Sequence, residues 1–205
     1  ASTLQLGVMM FLQYAIWGAY APVLSAYLLN DLGFSGAQVG AVYSLLPLAT
    51  IIAPFVGGQL ADRYFASERI IGVLQLGGGV LLLVASRIPD CGTLMLVLFA
   101  SCMLYAPTLA LTNSIAMINL KDSEREFGRV RVGGTIGWIA AGLMLSGWRT
   151  FGGADATQGD MLVLGAVLSL IMGVHSFSLP HTPPRKEGVN PWAFLEPLRM
   201  LKAAN

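Results

Sequence analysis

Long apolar runs alternate along this chain with short polar connections. Six of the runs are long enough for a helix that crosses a hydrocarbon layer, which takes about 20 residues at about 1.5 Å each. The runs lie at residues 4–29, 37–60, 70–86, 93–118, 130–148 and 161–179. The pattern therefore predicts an all-α membrane protein whose six transmembrane helices form one bundle over residues 1–179.

Composition agrees with this prediction. Hydrophobic residues make up 55% of the chain and charged residues 11%, with a mean hydropathy of +0.68. Soluble domains carry about 25% charged residues. The first run is too long for the apolar part of a signal peptide, so we expect it to remain in the lipid bilayer. The net charge of +1 gives no reason to expect a nucleic-acid partner.

The basic residues predict the orientation. Of the 12 Lys and Arg residues, all but Arg87 and Arg149 lie between the second and third runs, between the fourth and fifth runs, or in the tail. Basic residues concentrate on the cytoplasmic side of membrane proteins. We therefore expect a multi-pass protein of the inner (cytoplasmic) membrane, with both ends of this chain in the cytoplasm.

A polar stripe runs along the fifth span. The charged segment 121–131 before this span predicts a cytoplasmic loop, and the residues after it are apolar and rich in glycine. Arg131, Thr135, Trp138 and Gly142 share one helical face, at i, i+4, i+7 and i+11. Unpartnered polar groups are costly in hydrocarbon, so the stripe faces other helices or a water-filled cavity. Alternatively, Arg131 extends to the lipid headgroups beside residues that merely pack.

Two further runs carry polar faces. A polar side chain at mid-membrane depth either bonds to a neighbouring helix or lines a cavity, and the sequence leaves both interpretations open. The third run, with its glycines at 77–79, predicts a smooth packing face without chemistry. The polar faces consist of Gln13, Trp17 and Tyr20 in the first run and Tyr105, Thr108 and Thr112 in the fourth.

Residues 20–24 (YAPVL) and 105–109 (YAPTL) echo one another in the first and fourth runs. The predicted topology gives these two runs opposite directions. The echo therefore indicates a three-plus-three inverted repeat, an arrangement found in many transporters.

The turn after the second run resembles a known signature. Residues 58–63 (GQLADR) match the G-x-x-x-D-R motif of the major facilitator superfamily, whose acidic residue belongs to a charge network that latches two halves together. The resemblance implies that Asp62 and Arg63 form a conformational latch. Here residues 65–69 (FASER) replace the usual glycine and basic residues, which points to a particular branch of the superfamily.

Several segments together resemble the nucleoside:proton symporter branch. They are FLQ at 11–13 with WG at 17–18, DRYFASER at 62–69, YAPTLALTNSI at 105–115, FGRVRVGGTIGW at 127–138 and SLPHTPP at 178–184. The resemblance implies a twelve-helix fold in two halves, of which this chain is the N-terminal six-helix half. It also implies that the chain binds nucleoside and proton as substrates, and that the C-terminal half of the same transporter is its partner.

The same resemblance places the nucleoside site. It assigns substrate binding to Arg131, Thr135 and Trp138, whose groups suit ribose hydroxyls, base carbonyls and stacking on a base. Base–aromatic stacking contributes about 1 to 3 kcal/mol per base. The remaining predicted substrate-binding residues, on the polar faces of the first and fourth runs, are Gln13, Trp17, Tyr105 and Thr108.

No metal, cofactor or catalytic constellation is predicted. Cys91 and Cys102 have no disulfide or metal-binding pattern, and none of the 11 acidic residues lies inside an apolar run. His175 is the titratable candidate at depth, although a packing role suits it better. We therefore expect the proton site to lie mainly in the second half.

The tail differs from the bundle in composition. Residues 180–205 predict a cytoplasmic connector that leads to a seventh helix, and residues 191–204 form an amphipathic segment suited to the membrane surface. The chain is accordingly interpreted as a half that lacks the six C-terminal helices.

These features predict proton-coupled uptake of nucleosides by alternating access, and no enzymatic activity. The first alternative is a major facilitator symporter for another neutral polar solute, such as a sugar. A second is an intramembrane serine protease that uses Ser146 with His175, although the chain lacks a G-x-S-G motif. A third is a scaffold without transport activity, or a dimer that rebuilds twelve helices.

Overall fold

The computed structural model describes residues 3–53, 65–151 and 159–183, and the regular secondary structure in this part of the chain is helical throughout. The first α-helix continues into a five-residue π-helical extension, Tyr27–Asp31. The six α-helices are α1 Thr3–Ala26, α2 Gly36–Ala53, α3 Ser67–Ala85, α4 Cys91–Asn119, α5 Ser123–Phe151 and α6 Asp160–Ser176.

The predicted all-helical class is confirmed. In the described residues, five helices are long and apolar enough to cross a membrane, with α1 counted through its π-helical extension. The sixth, α6, is apolar but has 17 residues.

Helix α5 begins earlier than its hydropathy indicates. The sequence predicts a charged loop over 121–131, and this is wrong because α5 starts at Ser123. Asp122 Oδ1 accepts a hydrogen bond from the Arg125 main-chain N at 3.2 Å. Glu124 and Glu126 lie in the first turn, where negative charge interacts favourably with the helix dipole. Arg131 is consequently held on a continuous helix.

Helix α1 is the central element. It packs most extensively against α5 and also against α6, while α3 packs against α4 and α6, and α2 against α4. Its side chains are buried on several sides, among them Leu6, Met9, Met10 and Ile16. Gln13, a polar side chain near the middle of α1, is accordingly 0% exposed.

The backbones of α1 and α5 meet through glycines. A Cβ built on Gly133 would lie 2.9 Å from the Gly7 carbonyl oxygen, and one on Gly137 would lie 2.1 Å from the Phe11 carbonyl oxygen. The pairs are four residues apart on both helices, so α1 and α5 run in the same direction. Small residues allow such close approach of membrane helices.

Two polar ties lie at the end of the bundle where α3 ends and α6 begins. At the ends of α5 and α6 away from the α3 N-terminus, the Arg149 guanidinium donates two hydrogen bonds to the Asp160 carboxylate, at 2.8 and 2.5 Å. Between α3 and α4, Asp90 caps α4 by accepting from the Thr93 N and Oγ1 at 2.8 and 2.7 Å. These hydrogen bonds, chiefly the one from the Thr93 main chain, hold the pKa of Asp90 below its ordinary value.

A clasp joins the segment after α6 to the start of α3. The Glu68 carboxylate is buried and accepts from the Thr182 main-chain N at 3.0 Å, while its other oxygen lies 2.8 Å from His181 Nδ1. The Ser67 N donates to the Thr182 carbonyl at 3.1 Å, and Asn119 Nδ2 donates to Thr182 Oγ1 at 3.2 Å. Residues 181–182 are thus bound to the start of α3 and the end of α4.

Candidate substrate-binding surface

Helix α5 presents three different faces. Its buried face packs on α1 and consists of small residues near the middle of the helix, Gly134, Gly137 and Ala141. A second face is exposed and apolar, and is formed by Val132, Ile136, Ile139 and Leu143. Between them lies the polar strip, which we define as Arg131, Thr135, Trp138 and Gly142.

The polar strip is not covered by the rest of the bundle. Arg131 and Thr135 are exposed, and Trp138 at the edge of the strip is half-buried. The exposed apolar face of α5 suits lipid, but a guanidinium and a hydroxyl do not. The strip is therefore suited to water, a solute or another protein surface.

Arg131 is held against α1 by an aromatic ring. Its guanidinium carbon lies 4.1 Å from the centroid of the Tyr14 ring, well within the range of a cation–π interaction. Within the described residues Arg131 has no carboxylate partner. The side chain thus lies at the α1–α5 seam rather than in an ion pair.

Two indoles meet at the same seam. Trp17 and Trp138 pack edge to face, with ring centroids 5.1 Å apart and an interplanar angle of 88°. This is a preferred geometry for aromatic pairs. Gly18 follows directly after Trp17, and a Cβ there would lie 2.8 Å from the Trp138 Cα. The close backbone approach therefore fixes where Trp138 can lie.

The other predicted site residues lie inside the bundle. Gln13 and Thr108 are 0% exposed, and Gln13 Nε2 donates to Thr108 Oγ1 at 2.8 Å. The Tyr105 hydroxyl donates to the Gln13 carbonyl at 2.6 Å. In this structure these three groups are hydrogen-bonded to one another between α1 and α4.

Helices α3 and α6 complete a buried polar network. Gln75 Nε2 donates to Gln13 Oε1 at 2.9 Å and to Thr108 Oγ1 at 3.0 Å, and Ser169 Oγ donates to Gln75 Oε1 at 2.7 Å. The predicted glycine packing face of the third run is confirmed, since a Cβ on Gly79 would lie 3.0 Å from Leu170 Cγ. The expectation that this run has no polar role is wrong, because Gln75 joins the network. An amide in an apolar run, the signal that singled out Gln13, could also have found Gln75.

The structure separates the predicted site residues into two groups. Arg131, Thr135, Trp138 and Trp17 lie along the α1–α5 seam, and the buried network contains Gln13, Tyr105 and Thr108. Their roles as substrate contacts remain predictions. The predicted latch residues, Asp62 and Arg63, lie outside the described residues.

The cavity beside Trp17 does not offer a closed site. It lies between α1, α2, α3 and α4, has a volume of about 40 Å³, and is lined in part by Tyr20 and Tyr43. Pockets for small ligands have volumes of about 300 Å³ or more. Because Arg131 and Thr135 are exposed, a solute at the polar strip would rest on an open surface of this bundle.

The proposed protease pair has no matching geometry. Ser146 is exposed on α5, and its carbonyl oxygen accepts from Thr150 Oγ1 at 2.9 Å. His175 lies near the end of α6, where its Nε2 is 3.3 Å from the Gln5 carbonyl oxygen. Nucleophilic catalysis requires the base within hydrogen-bond reach of the nucleophile.

The buried network leads to a prediction about stability. Gln75→Leu should lower the apparent melting temperature of the purified protein in detergent, because Gln13 Oε1 loses its donor. Interhelical hydrogen bonds in membranes contribute about 0.6 kcal/mol on average and up to about 1.7. A double-mutant cycle with Gln13→Leu should show coupling, and strictly additive melting shifts would contradict the prediction.

Comparisons with known proteins agree with the helical bundle. A family model described as "Nucleoside H+ symporter" matches residues 1–204. YegT of Escherichia coli K12 is 38% identical over 189 residues, which cover 91% of this chain and 44% of YegT. The nucleoside permease NupG of the same organism is 32% identical over 191 residues, again 91% of this chain and 44% of the relative.

Solved structures show the same fold. A crystal structure of the nucleoside transporter NupG matches with a TM-score of 0.83 and 30% sequence identity, over 98% of this chain and 51% of that chain. A crystal structure of the peptide transporter POT in complex with sulfate matches with a TM-score of 0.71 over 98% of this chain and 43% of that chain. At 18% identity the second match shows the fold alone.

The helical bundle and these matches define the fold as that of about half of a transporter of the major facilitator type. Its relatives are permeases, so the protease alternative is wrong. The chain belongs to the nucleoside H+ symporter family. It spans about half the length of the curated relatives it matches, 44% in the cases of YegT and NupG.

Proposed function

We propose that this chain forms one wall of a nucleoside pathway in a proton-coupled uptake transporter. The observation that carries the proposal is the polar strip on α5, with Arg131 and Thr135 exposed and distinct from the apolar face. Membership of the nucleoside H+ symporter family supports nucleoside as the solute. NupG, described as a nucleoside transporter, has the same fold.

The strip has the chemistry that a nucleoside requires. A guanidinium at Arg131 can donate several hydrogen bonds to ribose hydroxyls or a base carbonyl. The Thr135 hydroxyl can donate or accept, and the Trp138 indole offers a surface for the base. Base–aromatic stacking contributes about 1 to 3 kcal/mol. A neutral solute with hydroxyls and a flat ring suits all three groups.

The facing wall would come from a second six-helix bundle. An open strip encloses a solute when another bundle covers it, and rocking of the two bundles would then expose the site to each side of the membrane in turn. We propose that residues 1–179 are the N-terminal bundle, with six spans in a three-plus-three inverted repeat. Residues 180–205 would be the connector, and its amphipathic part lies outside the described residues.

The connector and the latch would act at the same end of the bundle. Glu68 binds residues 181–182 to the start of α3, which follows shortly after Asp62 and Arg63 in the sequence. We propose that Asp62 and Arg63 form the latch between the two halves of the transporter. With the basic residues on the same side, this end would face the cytoplasm in the inner membrane.

The proton site would lie on the second bundle. In the described residues, the buried Glu68 sits at the start of α3 with both carboxylate oxygens partnered. His175 lies near the end of α6, against the Gln5 carbonyl. Neither group is hydrogen-bonded to a residue of the polar strip, and a proton-coupled carrier needs a titratable group on its pathway.

Uptake of radiolabelled uridine by cells that express the full-length protein tests this function. Saturable uptake that a protonophore abolishes is the expected result, and excess sugars should not compete. Uptake of a sugar without uridine would overturn the choice of solute and favour the first alternative. Uridine uptake that is insensitive to the protonophore would instead overturn proton coupling.

A further inference from the structure

The Tyr14 ring lies between two parts of α5. Its face carries the Arg131 guanidinium at 4.1 Å. A Cβ built on Gly134 would lie only 2.6 Å from Tyr14 Cδ2, so the ring occupies the space that a side chain at 134 would need. Because Arg131 and Gly134 are three residues apart, they share one side of the helix.

We propose that Tyr14 is a positioning residue for Arg131 at the substrate site, an inference that rests on the proposed function. A free arginine near the end of a membrane helix would extend toward the headgroups. The electron-rich ring face attracts the guanidinium, and the bare backbone at Gly134 lets the ring approach α5 closely enough to do so. Arg131 is thereby kept on the polar strip.

The ring face, rather than the hydroxyl, carries this role. Within the described residues the hydroxyl of the half-buried Tyr14 makes no hydrogen bond, whereas its ring lies against the Arg131 guanidinium and occupies the space beside Gly134. Tyr14→Phe should therefore keep the KM for uridine within about twofold. Tyr14→Leu retains an apolar side chain but loses the aromatic face, and should raise the KM about tenfold, a change typical of a partly desolvated cation–π contact.

Fluorination of the ring separates this role from packing. Phenylalanine, 4-fluorophenylalanine, 3,5-difluorophenylalanine and 3,4,5-trifluorophenylalanine at position 14 of the full-length protein keep nearly the same volume while ring electron density falls. The KM for uridine should rise stepwise along the series, with less change in the maximal rate per transporter at the cell surface. Simple packing of Tyr14 would leave the KM flat.

A second variant changes Gly134, the α5 residue beside the Tyr14 ring. Gly134→Ala would displace the Tyr14 ring and should raise the KM as Tyr14→Leu does. Gly147→Ala on the same helix is the matched control, because nothing lies within 4 Å of the added Cβ. The fluorinated series remains decisive if Gly134→Ala does not fold.

The outcomes distinguish this inference from the proposed function. A stepwise rise in KM with fluorination supports the inference. A flat series in a protein that takes up uridine, or a large loss with Tyr14→Phe, overturns the inference alone. Absence of uridine uptake by the unmodified full-length protein would overturn the proposed function and this inference together.

Discussion

Arg131→Ala in the full-length protein is expected to reduce the initial rate of uridine uptake about 10- to 100-fold. This range corresponds to the loss of a charge-assisted hydrogen bond at a partly desolvated site. The side chain is exposed and its ring contact is with Tyr14, so its removal should leave the bundle intact. Uptake normalised to the amount of protein at the cell surface measures the effect.

Arg129→Ala is the matched control for this prediction. Arg129 is also exposed and lies on α5 two residues before Arg131, which directs it to another side of the helix. It should retain near-normal uptake. Near-normal uptake by Arg131→Ala as well would contradict a substrate role and favour an arginine that merely extends to the headgroups.

Arg131→Lys should give an intermediate rate. Lysine keeps the positive charge but lacks the planar fork that donates parallel hydrogen bonds, and it stacks less well on an aromatic ring. This variant therefore separates the need for charge from the need for guanidinium geometry. Full activity with lysine would show that a point charge suffices at the strip.

Gly137→Ala is expected to have the largest effect on folding. The added Cβ would lie 2.1 Å from the carbonyl oxygen of Phe11, a backbone atom that cannot move aside as a side chain can. The α1–α5 seam must open to relieve the contact. Overpacking costs about 1 to 3 kcal/mol, and we expect the upper end here, seen as a lower melting temperature and less monodisperse protein in detergent.

Gly147→Ala should behave in the opposite way. Its added Cβ meets nothing within 4 Å, and alanine is better than glycine in a helix by about 0.5 to 1 kcal/mol. The same chemical change on one helix is therefore expected to destabilise at one position and be neutral or slightly stabilising at the other. Equal melting temperatures for Gly137→Ala and Gly147→Ala would contradict the close approach of α5 to α1 at Gly137.

Much of the fold follows from local sequence. The apolar runs predict the helices because a membrane helix must satisfy its own backbone within one continuous segment. The same criterion placed the start of α5 at residue 130, which is too late. Hydropathy detects only the apolar part of a helix, and the first turns of α5 are charged. Helix α5 begins at Ser123, where acidic residues favour a helix start.

The candidate site was predictable in part. The spacing of Arg131, Thr135 and Trp138 places them on one face because helix periodicity is a local property. The same reasoning put Gln13 and Thr108 on polar faces of their helices but left open whether these faces meet a cavity or each other. In the structure they meet each other, and they also meet Gln75, which the sequence analysis had passed over.

The sequence by itself determined the membrane class, the helical bundle, the family and the polar strip of α5. Only the tertiary structure decided which polar groups are paired inside and which remain exposed, because that depends on how helices distant in sequence rotate and approach one another. Gln13 and Thr108 are 95 positions apart, yet they share a hydrogen bond. Tyr14 reaches Arg131 because α5 has bare backbone at Gly134.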